Sequence, residues 1–322
     1  MEQQARRDPA SLLEAARAGD RLALARLVSL LERGGPDGRR VAALAYRTGT
    51  DAPTLGVTGA PGAGKSTLVS RLVSEIRRSD ETVGVLAVDP TSPFSGGAIL
   101  GDRVRMQDHA LDPGVFIRSM ATRGHLGGLS LAVPEAVRVL AAAGLDRIVI
   151  ETVGVGQVEV EVASAADTTV VVVTPGWGDA VQANKAGLLE VADVFVINKS
   201  DRDGARQTRL DLEQMLDLST AGDWRPPIVD TIASDGTGVE DLWSEIRRHE
   251  GFLSGAGELS ARRSRRLERE LHRVLGLRIE VEVQRLVADE NYAAVVASAI
   301  AGDIDPYEAA ERLVSAVRRR RG

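Results

Sequence analysis

Between residues 53 and 250 the chain alternates short, continuous apolar runs with amphipathic stretches. The runs Leu55–Thr58, Thr82–Val88, Val115–Ser119, Arg147–Glu151, Thr168–Thr174, Val194–Asn198 and Pro227–Ala233 are short and do not alternate apolar with polar. Strands of that kind are buried on both faces, as in a parallel sheet covered by helices. The amphipathic stretches supply the helices, so the pattern predicts a doubly wound α/β domain with a mostly parallel sheet. Ahead of it, Leu12, Leu13 and Ala16, then Leu24, Leu27, Val28 and Leu31, lie at helical spacing within residues 9–48. Turn signals at Gly19-Asp20 and Gly34-Gly35-Pro36-Asp37 separate these helices. Behind the α/β region, a helix over Val239–His249 is followed by Gly251, Ser254, Gly255 and Gly257, which read as a linker. Residues 259–320 turn helical again, and Leu267, Leu271, Val274, Ile279, Val283 and Leu286 keep one apolar stripe. Such a stripe must cover something, either the α/β domain or a second copy of itself. The expected division is an N-terminal helical segment (1–50), an α/β domain (51–252) and a C-terminal helical arm (253–322).

Composition narrows the picture. The 322 residues are 43% hydrophobic and 27% charged, ordinary for a globular protein with a sizeable core. There is no cysteine, which excludes disulfides, thiolate catalysis and thiolate metal sites. No apolar run follows the basic pair Arg6-Arg7, and no stretch approaches the roughly 18 apolar residues of a membrane span, so a cytoplasmic location off the membrane is expected. The net charge of −6 argues against nucleic acid as a partner. The local basic clusters, Arg262 to Arg269 and Arg318 to Arg321, read as solvated helix faces and helix-end cations. His109, His125, His249 and His272 show no metal-binding spacing and read as surface or loop residues.

The chemistry begins after the first strand. Gly59-Ala60-Pro61-Gly62-Ala63-Gly64-Lys65-Ser66, continuing to Thr67, fits G-x-x-x-x-G-K-[ST] and sits between a strand and a helix, as that pattern requires. Its glycines let backbone N–H groups wrap an anion, and the helix N-terminus adds partial positive charge. Lys65 is expected to reach the β and γ phosphates, and Ser66 to offer its hydroxyl to Mg²⁺, a hard cation that takes few protein oxygens. A nucleoside triphosphate is therefore the implied substrate.

The sixth run leads into Asn198-Lys199-Ser200-Asp201, which resembles the Asn-Lys-x-Asp guanine-specificity element of GTPases. A carboxylate at Asp201 can accept from both N1–H and the 2-amino group of guanine, and adenine offers no such pair; discrimination built on a buried, otherwise unpaired carboxylate can reach roughly 10⁴. Lys199 would lay its stem along the base and Asn198 would brace the loop. One strand later, Ile232-Ala233-Ser234 stands where backbone groups can meet the guanine oxygen. Asp89, Asp102 and Glu151 follow the second and fourth runs, on the side where α/β folds bind ligands, and are assigned to the Mg²⁺ shell or its waters. The plainer alternative for each is loop capping. Lys65, Asp89, Asp102 and Glu151 form the expected catalytic set. Val155 stands where many small GTPases place a water-orienting Gln, with Gln157 two residues on, so slow hydrolysis accelerated by a partner or dimer mate is expected. Arg103, Arg105, Arg118 and Arg123 are candidate charge stabilisers, with a structural role as the plainer reading.

These residues together resemble the methylmalonyl-CoA mutase-associated GTPases, chaperones of cobalamin enzymes once described as amino-acid-transport ATPases. The resemblance is carried by Gly56–Thr67, Val88–Pro93, Arg118–Gly124, Glu151–Gln157, Pro175-Gly176-Trp177-Gly178-Asp179 and Asn198–Asp201. It departs at Ser200, where many relatives carry Ala. The resemblance implies a P-loop GTPase domain with GTP and GDP as substrate and product and Mg²⁺ as cofactor. It further implies a homodimer joined largely through the C-terminal arm, and a partner in a cobalamin-dependent acyl-CoA mutase whose cofactor loading and protection the GTPase gates. It also implies that the loop from Gly176 to Lys185 is a third switch meeting the mutase, with Trp177 as an interface anchor; packing of Trp177 within its own domain is the plainer reading. Three rivals stand beside it. A GTP-dependent nickel chaperone would carry His-rich or Cys-containing metal motifs, an ATP-dependent kinase or transport ATPase is opposed by Asp201, and a non-enzymatic module would keep nucleotide only as a structural ligand.

Overall fold

The computed structural model describes residues 8–49, 51–89, 106–121, 132–152, 165–176, 191–218, 223–288 and 290–321. Seven parallel strands, β1 Thr54–Gly59, β2 Val83–Asp89, β3 Val115–Ala121, β4 Arg147–Thr152, β5 Thr168–Val173, β6 Val194–Asn198 and β7 Ile228–Thr231, form one sheet in the order β3-β2-β4-β1-β5-β6-β7. They fall on the seven apolar runs; β1, β2, β4, β5 and β6 are buried on both faces, which leaves no room for polar alternation, while the edge strands β3 and β7 are partly open. β1 is central, with β4 on one side and β5 on the other, so the chain turns outward in opposite directions from it. The crevice at the carboxyl ends of β1, β4 and β5 is where such sheets bind ligands.

Among the described residues three helices precede the sheet: α1 Pro9–Arg17, α2 Arg21–Arg33 and α3 Gly35–Thr48. Asp8 caps α1 by accepting from Ser11 N, and Asp20 caps α2 by accepting from Leu22 N and Ala23 N. Between the strands lie α4 Lys65–Arg77, α5 Ala132–Ala142 and α6 Ala205–Leu218, and α7 Val239–Gly255 follows β7. On one face of the sheet, Leu86, Val88, Met120, Ile148 and Ile150 pack with α5 and with Leu24, Leu27, Val28 and Leu31 of α2. The N-terminal segment thus shares its core with the sheet. The other face presents Leu55, Val57, Val83, Val149, Val170, Val172, Val194 and Val196 to α4 and α7. The alternate residues Val171, Val173, Phe195 and Ile197 point the opposite way and meet α6.

The stretch expected to be a linker is helical. α7 continues through Gly251 to Gly255, because Phe252 and Leu253 extend its buried face, and Ala256 with Gly257, the latter at φ 70°, separates it from α8 Glu258–Val287. Two histidines expected at the surface are buried, His109 at 7% exposed and His249 at 0%. The basic cluster at the start of α8 is likewise not merely a solvated face. Arg262 donates bidentately to Asp193, 2.9 and 2.8 Å, while Arg263 donates to Asp167 and to Asp51. Asp193 also accepts from Thr169 N, Asp167 accepts from Thr54 N, and His249 Nε2 lies 3.2 Å from Asp193 Oδ1. These carboxylates satisfy the amino ends of β1 and β5 and pin the first turns of α8 to the edge of the sheet remote from the cradle.

Two compact units divide the chain, residues 1–264 and 265–322. Within the second, the rest of α8 is followed by α9 Glu290–Ala301 and by α10 Pro306–Arg321, which Asp305 caps through Tyr307 N and Glu308 N. The apolar stripe of α8 is present and open, with Leu271 at 55% and Ile279 at 64% exposed. No helix among the described residues is long and apolar enough to cross a membrane.

Burial by itself would raise the pKa of Asp193, but hydrogen bonds and charge from His249 and Arg262 outweigh it and hold the carboxyl below its ordinary range. A carboxylate with a depressed native pKa adds stability above its unfolded pKa, near 4, and that stability is lost as pH falls through the native value. Asp193→Ala is therefore expected to cost about 3 kcal/mol at neutral pH, by leaving Arg262 without its buried partner. Urea denaturation of wild type and variant should show the gap narrowing below about pH 4.

Candidate functional site

The cradle is built where β1 ends against β5. Gly59 sits at φ 139°, and a Cβ there would lie 2.0 Å from Val172 O, so only glycine lets the loop leave the sheet at this point. Gly62 and Gly64 also take left-handed conformations, at φ 74° and 89°. Gly64 precedes α4 without any side-chain cap, so the first N–H groups of α4 stay available to an anion. Lys65 is 5% exposed, and its ammonium folds back over the loop to donate to Gly59 O at 2.5 Å and Ala60 O at 2.9 Å. Ser66 and Thr67 open the exposed side of the same turn.

Ser66 Oγ donates to Glu151 Oε1, joining the start of α4 to the end of β4. Glu151, 1% exposed, pairs in register with Val57 of β1 on one side and Ala87 of β2 on the other, two residues before Asp89, which is 0% exposed. A serine hydroxyl with one or two carboxylates is an all-oxygen donor set that suits Mg²⁺ and no soft metal. Among the described residues no group of three or more His, Cys, Asp or Glu gathers at one point. A cation at Ser66 would find these oxygens beside those of phosphate and water, the mixture that Mg²⁺ takes.

Across the crevice, Asn198 is the junction. Its Nδ2 donates to Ala63 O at 2.7 Å, while its Oδ1 accepts from Ala233 N at 3.0 Å and from Thr231 Oγ1 at 3.2 Å. A Cβ on Gly64 would lie 2.4 Å from Asn198 Nδ2, so the third cradle glycine leaves room for this amide. Lys199, at φ 60°, sends its Nζ to Gly62 O at 2.7 Å, and Ser200 N donates to Thr231 O. Asp201 was expected to be buried, but it is exposed, so it would be desolvated by a base rather than beforehand. Ile232, Ala233 and Ser234 follow β7 in a tight loop, with Ile232 N donating to Thr237 O.

The structure therefore brings Gly59–Thr67, Asp89, Glu151, Asn198, Lys199 and the 232–234 loop to one end of the sheet. Asp102, Val155, Gln157, Arg103, Arg105, Arg123 and Trp177 lie outside the described residues. Arg118 donates to Ser29 Oγ and Glu32 Oε2 of α2, tying β3 to the N-terminal helices. Sequence reading missed two contributors. Thr231, wholly buried, has no marker in a short strand, and Arg71, six residues after Lys65 on an exposed helix face, carries no motif; yet Arg71 donates to Ala233 O and Ser234 O.

A seven-stranded parallel sheet with this cradle after its central strand defines a P-loop GTPase fold. The family described as methylmalonyl-CoA mutase-associated GTPase (MeaB) matches residues 24–288, and the chain belongs to that family. A protein of Pyrococcus abyssi named "Putative GTPase" is 46% identical over 310 residues, covering 95% of this chain and 96% of its own. GTPase ArgK of Escherichia coli is 38% identical over 254 residues, 76% of each chain. Among solved structures, one titled LAO/AO transport system kinase superposes with a TM-score of 0.71 at 26% identity, over 96% of this chain and 97% of that one. The chain is thus a nucleotide-binding P-loop protein of a GTPase family.

Asn198→Ala would leave the buried Ala63 carbonyl and Ala233 N–H without this partner. Each such loss costs about 1–3 kcal/mol, so the variant is expected to lose about 2 kcal/mol or more of stability in urea even without nucleotide. A loss below about 0.5 kcal/mol would mean that the cradle and the base loop hold together without the amide.

Proposed function

We propose that the chain binds GTP and GDP with Mg²⁺ between Gly59–Thr67 and Asn198–Asp201, hydrolyses GTP, and uses that cycle to gate cobalamin loading and protection of an acyl-CoA mutase. The observation that carries the reading is the Asn198 amide, which holds the phosphate cradle and the base loop in one hydrogen-bonded unit. In this reading Lys65 exchanges its two loop carbonyls for phosphate oxygens, and the uncapped N–H groups of α4 hold the phosphate charge. Charge stabilisation of that kind accounts for most of phosphoryl-transfer catalysis. Ser66, Asp89 and Glu151, with Asp102, would hold Mg²⁺ directly or through water. When bound, the ion neutralises charge on the β and γ phosphates. Glu151, hydrogen-bonded to Ser66 and at the end of β4, stands where the loss of the γ phosphate would be felt by the residues that follow it. Asp201 accepts from the guanine N1–H and 2-amino group, Lys199 covers the base, and Ser234 N–H meets the guanine oxygen.

The mutase partnership is supported by the family's own description, and a homodimer through the C-terminal arm by the open apolar stripe of α8. A soluble, cytoplasmic location agrees with the lack of a spanning helix among the described residues.

Asp201→Asn replaces an acceptor by a donor. Guanine nucleotide binding should weaken by at least about 10²-fold, and xanthine nucleotides, which offer a carbonyl where guanine has the amino group, should gain. Lys65→Ala should abolish phosphate release from a chain that circular dichroism still shows folded; full turnover by this variant would sink the assigned cradle. Capture of an acyl-CoA mutase on the immobilised protein, compared between a non-hydrolysable GTP analogue and GDP, tests the partner. Equal or absent capture in both states would contradict the gating role.

A further inference from the structure

The base loop is held from two sides, and only one of them runs through Asn198. From α4, the exposed Arg71 donates through Nε to Ala233 O at 3.2 Å and through Nη2 to Ser234 O at 2.6 Å. The loop between them is already tight. Ile232 N donates to Thr237 O, and Asp235 N and Gly236 N both donate to Ile232 O. Ala233 N–H is taken by Asn198 Oδ1.

These contacts fix the direction of one remaining donor. A trans peptide holds its N–H antiparallel to its C=O, and no cis peptide occurs among the described residues. With the Ala233 carbonyl drawn toward Arg71, the N–H of the same peptide unit, that of Ser234, is turned to the opposite side. A guanidinium suits this task because its donors form a rigid planar fork that can engage two carbonyls at once, which a single ammonium cannot do. Asn198 holds the Ala233 N–H and Arg71 holds the carbonyls of Ala233 and Ser234, so the Ala233–Ser234 peptide between them has little freedom left.

We infer that Arg71 is a positioning residue for guanine recognition: it orients the Ala233–Ser234 peptide so that Ser234 N–H meets the 6-oxo group of the base. The inference rests on the guanine-nucleotide reading of the site. A donor oriented before binding adds affinity because its ordering cost is already met in the free protein. Arg71 also links the helix that begins at Lys65 to the base loop, so that phosphate and base contacts share one rigid element.

A purely structural staple would affect every nucleotide alike, and this separates the two roles. GDP and 6-thio-GDP differ only in the acceptor at position 6, oxygen against the much poorer acceptor sulfur. Dissociation constants for both, with ATP as a control, are to be measured by displacement of a fluorescent nucleotide from wild type, Arg71→Ala and Arg71→Lys, with melting temperatures recorded without nucleotide. Wild type should prefer GDP over 6-thio-GDP. Arg71→Ala should weaken GDP by about 3- to 10-fold, the weight of one hydrogen bond, and 6-thio-GDP by less than about twofold. Arg71→Lys should retain part of the preference. Equal weakening of both nucleotides, or no weakening of GDP, would overturn the inference. If Arg71→Ala does not fold, Arg71→Lys alone decides, since an undiminished preference for GDP in that variant contradicts the role of the fork. Wild type binding ATP as tightly as GDP would remove the guanine reading itself and the inference with it, whereas a guanine-selective wild type with an indifferent Arg71→Ala removes the inference alone.

Discussion

The nucleotide crevice depends on one buried amide. Asn198 ends β6, and through it the loop after β1, the end of β7 and the loop beyond β7 become one hydrogen-bonded body. Those segments are 135 and 35 residues away from it in sequence, and backbone pairing alone would not hold their tips together beyond the sheet. An amide is suited to the place because it donates and accepts at once, whereas a carboxylate or an ammonium would leave either Ala63 O or Ala233 N unmet. Gly64 is part of the same constraint, since any side chain there would enter the space of the amide.

The opposite edge of the sheet is stabilised by different means. There Asp167 and Asp193 accept from the backbone at the start of β1 and β5 and from the paired arginines of α8. Charges left without partners at such a place would be costly, and here each meets several donors. The sheet thus carries a rigid ionic girdle at its amino edge and a ligand crevice at its carboxyl edge. The inner strands between them are covered on both faces.

Much of the fold was legible in the sequence because it rests on strong, local signals. Continuous apolar runs such as Val170–Val173 and Val194–Ile197 can be little else than doubly covered strands, and Asp20 and Gly34 mark helix ends through capping and left-handed geometry. The linker reading failed at Gly251–Gly255 because glycine and serine in a helix cost only about 1 kcal/mol or less, which the burial of Leu253 offsets. His109 and His249 were misread because a lone histidine shows nothing of its surroundings; His249 is buried against Trp224 and Thr168, and His109 reaches the carbonyl of Ser70. In the crevice, Gly59–Thr67 and Asn198–Asp201 were visible as motifs, since each spacing has a chemical reason. Thr231 and Arg71 were not, because they act on backbone groups whose positions only the folded chain defines.

The account stands on the site selecting guanine rather than merely holding phosphate. Competition against a fluorescent GDP bound to the wild-type protein in the presence of Mg²⁺ measures this directly. Unlabelled GTP and GDP should displace the probe at concentrations at least about 10²-fold below those needed for ATP, the separation expected when adenine leaves the Asp201 carboxylate unmatched. Displacement by ATP at concentrations like those of GTP would contradict the account.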